Sequence, residues 1–171
     1  MNFEEMQVKI DKPYPEIVNA TDDRETVSIL KNLATSKTGE LGGVLQYIYQ
    51  SVVSNNANED ISSIFEEIGI VEMMHLDLLM HAIVDFGGIP KYEDAMGNPF
   101  NVSNINYSLK LKDMLQNNIK DEQMGIEDYS RAISRVKNLS LKELLERIKL
   151  DEERHLQIFK QILNNVTFMS I

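Results

Sequence analysis

The residues whose types and spacing could do chemistry are two Glu-x-x-His pairs. Glu72 and His75 form the first pair, and Glu152 and His155 form the second. On a helix, residues three positions apart lie on one face, so the carboxylate and the imidazole of each pair can reach a single metal ion. Because two of the three histidines in the chain belong to such a pair, metal binding is the first chemistry that the sequence indicates.

Both pairs interrupt helical stripes that are otherwise apolar. The first stripe runs Ile61, Phe65, Ile68, Glu72, His75, Leu79, Ala82 and Phe86. The second runs Leu141, Leu145, Ile148, Glu152, His155, Phe159, Ile162 and Val166. Such a stripe packs into a core, so each helix is predicted to bury a carboxylate and an imidazole. An unpaired buried carboxylate is too costly to keep ionised, and a metal cation would compensate it.

Two further glutamates, Glu40 and Glu122, are expected at the same height in the fold. Glu40 precedes Glu72 by 32 residues, and Glu122 precedes Glu152 by 30. With a rise of about 1.5 Å per residue, the chain then returns from each turn to nearly the starting height. A glycine and a tyrosine follow both glutamates at equal spacing: Gly43, Tyr47, Gly125 and Tyr129. The predicted metal ligands are Glu40, Glu72, His75, Glu122, Glu152 and His155.

The elements that must position these ligands are long helices. Proline and glycine punctuation predicts helices over residues 23–34, 36–54, 60–86, 108–137 and 140–165. Thr21 or Asp22 is expected to cap the first helix, and Ser140 with Glu143 forms a capping-box motif for the last. The predicted fold is all-α: a four-helix bundle of two antiparallel pairs joined by a long crossover, with a short N-terminal helix.

Composition narrows the classes of function. The chain has 171 residues, 17 Lys and Arg, 27 Asp and Glu, a formal net charge of −10 and no Cys. The missing thiol excludes disulfides, zinc fingers, iron–sulfur clusters and a cysteine nucleophile. The acidic charge argues against nucleic acid or an anionic membrane as a partner. No signal peptide and no membrane-spanning run is recognisable, so a cytoplasmic protein is expected.

The donor types predict which metal is bound. Oxygen and imidazole ligands suit manganese or iron, and a set of four Glu and two His is the dimetal set of ferritin-like bundles. Two ions held by shared carboxylates can divide the two-electron change that peroxide or O₂ chemistry needs. We expect residues 1–35 to form an arm with a short helix that packs on the bundle, and residues 36–171 to form the dimetal bundle itself.

Two segments carry a resemblance to a known family. The segment Gly39-Glu-Leu-Gly-Gly-Val-Leu-Gln-Tyr47, with Ile68-Gly-x-x-Glu-x-x-His-Leu76, resembles the manganese (non-haem) catalases, especially their short spore-coat relatives. The third and fourth bundle helices match rubrerythrins and ferritins equally well. The resemblance implies a dimanganese centre that disproportionates hydrogen peroxide to O₂ and water, in a cytoplasmic or spore-coat protein.

The resemblance also implies roles for individual residues. Glu72 would bridge the two metals, Glu152 would be a ligand or a proton acceptor beside them, and Tyr47 would hydrogen-bond to a ligand. Glu152 and Tyr47 are therefore the predicted catalytic residues. Asp121 stands where the full-length enzymes carry Arg. Asp151 is expected to turn toward His75, because a ligating histidine usually donates its other N–H to a carboxylate.

Three functions stay open at this point. The first is peroxide dismutation at two manganese ions. The second is a di-iron peroxidase or iron-oxidising protein of rubrerythrin or ferritin type, acting on hydrogen peroxide or O₂. The third is a metal-binding structural bundle of spore-coat type. A homo-oligomer is expected in each case.

Overall fold

Five α-helices make up most of residues 6–168, the part of the chain that this computed structural model describes. They are α1 (Arg24–Thr35), α2 (Glu40–Ser54), α3 (Glu59–Asp85), α4 (Leu111–Arg135) and α5 (Leu139–Phe168). A 3₁₀ turn covers Val102–Asn104, and a single β-bridge joins Glu93 and Pro99. Apart from this bridge, residues 6–168 contain no β-strand. None of the helices in this range combines the length and the apolar sequence that a membrane span requires.

The four long helices form two hairpins. Helix α2 packs against α3 across a short turn after Ser54, and α4 packs against α5 across a short connection after Arg135. Residues 86–110 form the long crossover between the hairpins. The predicted all-α bundle of two antiparallel pairs with one crossover and a short N-terminal helix is confirmed.

Two apolar clusters lie on either side of a polar layer. Helix α3 contributes Ile68 to one cluster and Leu79 to the other, and α5 contributes Phe159 and Ile148 in the same way. The Glu-x-x-His pairs fall between these positions on both helices. The hydrophobic core is therefore divided in two, and the polar layer lies at the level of the predicted ligands.

Three predicted helix starts, those of α1, α3 and α5, are wrong by one residue. Asp23, rather than Thr21 or Asp22, caps α1, because its carboxylate accepts from the backbone N–H groups of Glu25 and Thr26. Helix α5 begins at Leu139, so Ser140 lies inside it.

Asn138 replaces the predicted capping box of α5. The Asn138 Oδ1 atom accepts from the Leu141 backbone N–H at 2.9 Å and from the Ser140 hydroxyl at 2.8 Å. Asparagine is among the strongest helix N-caps, so it satisfies the first turn before Ser140 can.

The start of α2 also differs from the prediction. Ser36 has extended backbone dihedrals and ends α1, and α2 does not begin until Glu40, after the N-cap Gly39. Glu40 therefore lies in the first helical turn, where the partial positive charge of the helix N-terminus favours a carboxylate. Helix α4 is likewise shorter than predicted at both ends, because Lys110 is extended and precedes its first residue and Val136 is extended and ends it.

The segment before α1 lies along α5. Arg147 donates from Nη2 to the Ile10 carbonyl at 2.6 Å and from Nε to the Lys12 carbonyl at 3.0 Å. Farther along α5, Arg154 Nε donates to the Gln7 carbonyl at 2.8 Å. Helix α1 packs mainly on α3. The division of the chain at residue 35 into an arm and a bundle stays a prediction.

The cap of α5 can be tested by substitution. Asn138→Ala should lower the free energy of unfolding by about 1 kcal/mol, because the first turn of α5 loses its side-chain acceptor. Glu143→Ala is the matched control and should change it by only a few tenths, since no capping box is formed. Urea denaturation of both variants measures the difference, and an equal loss in the two would contradict this cap.

Candidate metal centre

The six predicted ligands converge in the polar layer. One group of ligand atoms comes from Glu40, Glu72, His75 and Glu152. A second group comes from Glu72, Glu122, Glu152 and His155. Within each group all atoms lie within 4.8 Å of one another, and none of the six residues is more than 5% exposed. The two groups share Glu72 and Glu152, which is the arrangement that two neighbouring cations with bridging carboxylates would need.

Both imidazoles present Nδ1 to the carboxylates. His75 Nδ1 lies 3.0 Å from Glu152 Oε1 and 3.6 Å from an oxygen of both Glu40 and Glu72. His155 Nδ1 lies 3.1 Å from Glu72 Oε1. Neither Nδ1 atom, nor Glu152 Oε1, has a partner with hydrogen-bond geometry in the described part of the chain. Buried polar atoms are rarely left this way, so the donor set fits a pair of cations.

Two tyrosines hold the two glutamates that the groups do not share. Tyr47 on α2 donates its hydroxyl to Glu122 Oε1 on α4 at 2.5 Å, and Tyr129 on α4 donates to Glu40 Oε1 on α2. The exchange is reciprocal, and both hydrogen bonds connect one hairpin to the other. Tyr129 is absent from the predicted site residues, although its spacing from Glu122 equals that of Tyr47 from Glu40.

The two histidines differ in their outer contacts. His75 Nε2 lies 3.2 Å from Asp151 Oδ2, so Asp151 turns toward His75 as the sequence predicts. His155 Nε2 has no hydrogen-bond partner within residues 6–168. The sequence carries the reason, because Asp151 precedes Glu152 whereas Val71 precedes Glu72.

Asp151 itself has a full set of donors. Its carboxylate accepts from the Tyr14 hydroxyl and the Ile10 backbone N–H, both at 2.7 Å, and pairs with Arg147 Nη1 at 2.8 Å. Burial opposes its ionisation, but the hydrogen bonds from His75, Ile10 and Tyr14 hold the pKa of Asp151 well below its ordinary value. Burial and the neighbouring carboxylate raise the pKa of Tyr14 to about 12. Nothing in the sequence pattern pointed to Tyr14 or Arg147.

Burial favours the protonated form of three ligand carboxyl groups, those of Glu72, Glu122 and Glu152, whereas hydrogen bonds from its neighbours lower the pKa of Glu40. Burial and repulsion from Glu72 and Glu40 raise the pKa of Glu152 to about 8. Burial and the nearby carboxylates also raise the pKa values of Glu72 and Glu122. Burial lowers the pKa of the His155 imidazole. A bound cation would reverse the balance by favouring the ionised carboxylates and the neutral imidazole.

A cavity of about 300 Å³ leads from the ligands to exposed Lys37 and Lys120. Gly43 and Gly125 form part of its wall. A Cβ at Gly43 would lie 3.1 Å from Glu72 Cγ, whereas one at Gly125 would lie 3.9 Å from Glu152 Oε2. A side chain at Gly43 would therefore displace Glu72, while one at Gly125 would narrow the cavity.

Amide side chains organise the outer wall of the cavity. Gln46 Nε2 donates to Asp121 Oδ2 at 3.2 Å, and its Oε1 accepts from the Asn106 backbone N–H at 3.0 Å. Asn117 Nδ2 also donates to Asp121. Gln46 therefore ties the crossover to α4 beside the site.

The remaining acidic and histidine side chains near these helices lie outside the ligand layer. Asp121 lines the outer cavity, and Glu127 and Asp128 pair with Arg131. His81 is exposed, 3.8 Å from Asp77. The sequence prediction that Glu122 is the inward-facing acidic residue of α4 agrees with this geometry.

The chain is similar to known proteins in sequence and in fold. A family model described as a ferritin-like domain matches residues 21–169. Crystal structures of KatB, a manganese catalase from Anabaena, are similar with TM-scores of 0.84 and 0.82. In both, identity is 23%, and the match covers 92% of this chain and 80% of that chain.

The bacterioferritin of Desulfovibrio desulfuricans, which has a diiron site, has a TM-score of 0.73 and 19% identity. That match covers 85% of this chain and 84% of the bacterioferritin chain. A search among curated proteins finds no match. At these identities the likeness establishes the fold, and the predicted ferritin-like bundle is confirmed.

The raised pKa of Glu152 predicts pH-dependent metal binding. Below pH 8 the Glu152 carboxyl group carries a proton that a cation must displace, so affinity for Mn²⁺ should rise as pH increases from 6 toward about 8. The rise should be about tenfold per pH unit for each proton displaced. Calorimetric titration in two buffers of different ionisation enthalpy counts the released protons. A pH-independent affinity, or no proton release at pH 7, would contradict the assignment.

Proposed function

The chain belongs to the ferritin-like family, and on that premise we propose that it binds two manganese ions and disproportionates hydrogen peroxide to O₂ and water. The observation that carries this proposal is the pair of overlapping ligand groups, which share Glu72 and Glu152. The unpartnered Nδ1 atoms of His75 and His155 face these shared carboxylates. The proposed metal ligands are Glu40, Glu72, His75, Glu122, Glu152 and His155.

Two points support manganese: the donor types narrow the metal to manganese or iron, and the likeness to a manganese catalase favours manganese. The donor set of carboxylates and imidazoles, without a thiolate, suits manganese or iron rather than zinc or copper(I). The likeness to KatB, a manganese catalase, extends over 92% of this chain. When bound, the two ions would supply the two-electron oxidation and reduction that dismutation of peroxide requires.

The chain's own residues would bind the substrate and move its protons. The cavity wall brings Glu152 and Tyr47 next to the space that a small molecule would enter. Glu152 is the proposed proton carrier, because its Oε1 atom has no hydrogen-bond partner in residues 6–168 and its pKa of about 8 lies near neutral pH. Tyr47 would keep Glu122 in place through the hydroxyl hydrogen bond. Gly43 and Gly125 would leave the room that peroxide needs.

A second candidate is a di-iron protein that oxidises iron or reduces peroxide. The likeness to a bacterioferritin with a diiron site favours it, and so does the carboxylate of Asp121 in the outer cavity wall, where a cation would pass. This reading uses the same six ligands. It differs in the metal and in the source of electrons: a peroxidase would need an external reductant, whereas Fe²⁺ itself would be the reductant in iron oxidation.

Metal content tests the ligand assignment. Glu72→Ala should reduce bound metal from two ions per chain to one or none, because both ligand groups lose a shared carboxylate. Glu66→Ala, an exposed position on the same helix, is the matched control and should retain both ions. Mass spectrometry of protein loaded with manganese measures the content. A Glu72→Ala protein that still binds two ions would show that the assignment is wrong.

Oxygen evolution tests the reaction. Protein loaded with manganese should release one O₂ for every two hydrogen peroxide molecules without added reductant. Glu152→Gln should lower the rate by about 10²-fold or more if Glu152 moves a proton. Glu153→Gln, the neighbouring partly exposed position, should leave it near the wild-type value. Metal content is measured on each sample so that loss of turnover is separated from loss of metal.

Activity assays of protein loaded with manganese or with iron separate the three functions. Peroxide consumption only with an added reductant, and only in protein loaded with iron, would support the di-iron peroxidase. Oxidation of Fe²⁺ by O₂ would support the iron-oxidising reading. Absence of all three activities in fully loaded protein would leave a structural metal bundle and overturn the proposed enzyme.

A further inference from the structure

The two halves of the proposed metal centre differ in one respect. Each half combines a Glu-x-x-His pair with a glutamate held by a tyrosine, Tyr129 on one side and Tyr47 on the other. Only His75 has a carboxylate partner at Nε2, and His155 Nε2 has none within residues 6–168. We call the group of Glu40, Glu72, His75 and Glu152 the His75 half-site, and the group of Glu72, Glu122, Glu152 and His155 the His155 half-site.

The partner of His75 is held from outside the bundle. Asp151 is fully buried, and two of its donors come from the part of the predicted arm that precedes α1, residues 6–20, which is called the N-terminal arm from here on. The Ile10 backbone N–H donates to Oδ1 and the Tyr14 hydroxyl donates to Oδ2, each at 2.7 Å. Asp151 therefore cannot turn away from His75 without breaking hydrogen bonds to the arm.

The arm also contacts His75 directly. The Tyr14 hydroxyl lies 3.2 Å from His75 Nε2, and the two rings meet edge to face with centroids 5.8 Å apart. The Arg147 guanidinium lies over the Tyr14 ring, 4.5 Å from its centroid, and also pairs with Asp151. The imidazole, the carboxylate, the phenol and the guanidinium thus form one packed unit between the arm and the half-site.

We propose that the N-terminal arm is a positioning element for His75, and that it makes the two half-sites bind metal in sequence, the His75 half-site first. The inference rests on the proposed dimetal centre. A fixed acceptor at Nε2 orients the ring with Nδ1 toward the metal and increases its basicity. Within residues 6–168, His155 Nε2 has no such partner, so no hydrogen bond at that nitrogen orients its ring before a metal binds.

Binding is coupled in both directions. If the arm strengthens metal binding at the His75 half-site, metal in that half-site must stabilise the docked arm by the same free energy. Tyr14 and Asp151 are positioning residues that act through His75. Their oxygens lie at His75 Nε2, whereas the other ring nitrogen, Nδ1, faces the ligand carboxylates.

The test is a stepwise titration of metal-free protein with Mn²⁺ that is monitored by calorimetry and by electron paramagnetic resonance. A singly occupied chain gives the six-line signal of an isolated Mn²⁺ ion, and the signal weakens when a second, coupled ion binds. The wild type should show two separable steps. Tyr14→Phe removes the hydroxyl and retains the ring, so the first dissociation constant should rise about tenfold to a hundredfold, with little change in the second.

Further variants keep the result interpretable. Asp151→Asn should also weaken the first step, by at least as much as Tyr14→Phe. Tyr49→Phe is the matched control, because Tyr49 donates to the Tyr107 carbonyl, outside both half-sites, and its removal should leave both steps unchanged. Hydrogen exchange of residues 6–20 should slow on addition of the first equivalent of metal to the wild type, and less so in Tyr14→Phe.

Three results would overturn the inference. The first is two equal binding steps in the wild type, and the second is an equal weakening of both steps in Tyr14→Phe. The third is a lower melting temperature of metal-free Tyr14→Phe with no change in the ratio of the two metal affinities. The last would assign the arm a structural role only. A wild-type protein that binds fewer than two ions would instead overturn the proposed dimetal centre. The number of ions bound by the wild type is therefore measured before any variant is compared.

Discussion

Four carboxylates buried within a few ångströms of one another are the constraint on which the rest of this structure depends. Glu40, Glu72, Glu122 and Glu152 lie between two apolar clusters, where ionisation without compensation is expensive. Protons or cations must balance them, and the raised pKa of Glu152 indicates that protons do so in the absence of metal. The layer interrupts the core of every long helix, so charge balance there bears on the stability of the whole bundle.

The surroundings of these glutamates divide them into two kinds. Glu40 and Glu122 are each fixed by a tyrosine from the opposite hairpin, and these hydrogen bonds cross between α2 and α4. Glu72 and Glu152 belong to both ligand groups, and Glu152 Oε1 has no hydrogen-bond partner in residues 6–168. In a centre with two cations, the tyrosines would hold Glu40 and Glu122 in place, and Glu152 would supply an oxygen that no other described group engages.

The layer was predictable because its information is local and periodic. A Glu and a His in the middle of an apolar stripe lie on the buried face whatever the detailed packing. Spacings of 32 and 30 residues across the two hairpins bring Glu40 and Glu122 to the same level. The helix ends were less predictable, since Asn138 and Ser140 are both good caps. In the fold, Ser140 Oγ accepts from the Val18 backbone N–H, and Asn138 Oδ1 caps the first turn. Tyr14 was not predictable, because it meets Asp151 across 137 positions of chain from an arm without periodicity.

The charges in the cavity wall bear differently on the proposed substrate and on an entering metal ion. Hydrogen peroxide is neutral, so the charges of Asp121, Lys37 and Lys120 along the cavity neither attract nor repel it strongly. A divalent cation feels the same wall differently. Gln46 and Asn117 hold the Asp121 carboxylate in that wall, and a net charge of −10 on the chain raises the local concentration of cations. An arginine at position 121 would repel an entering metal ion, whereas the aspartate lowers that barrier and leaves a neutral substrate unaffected.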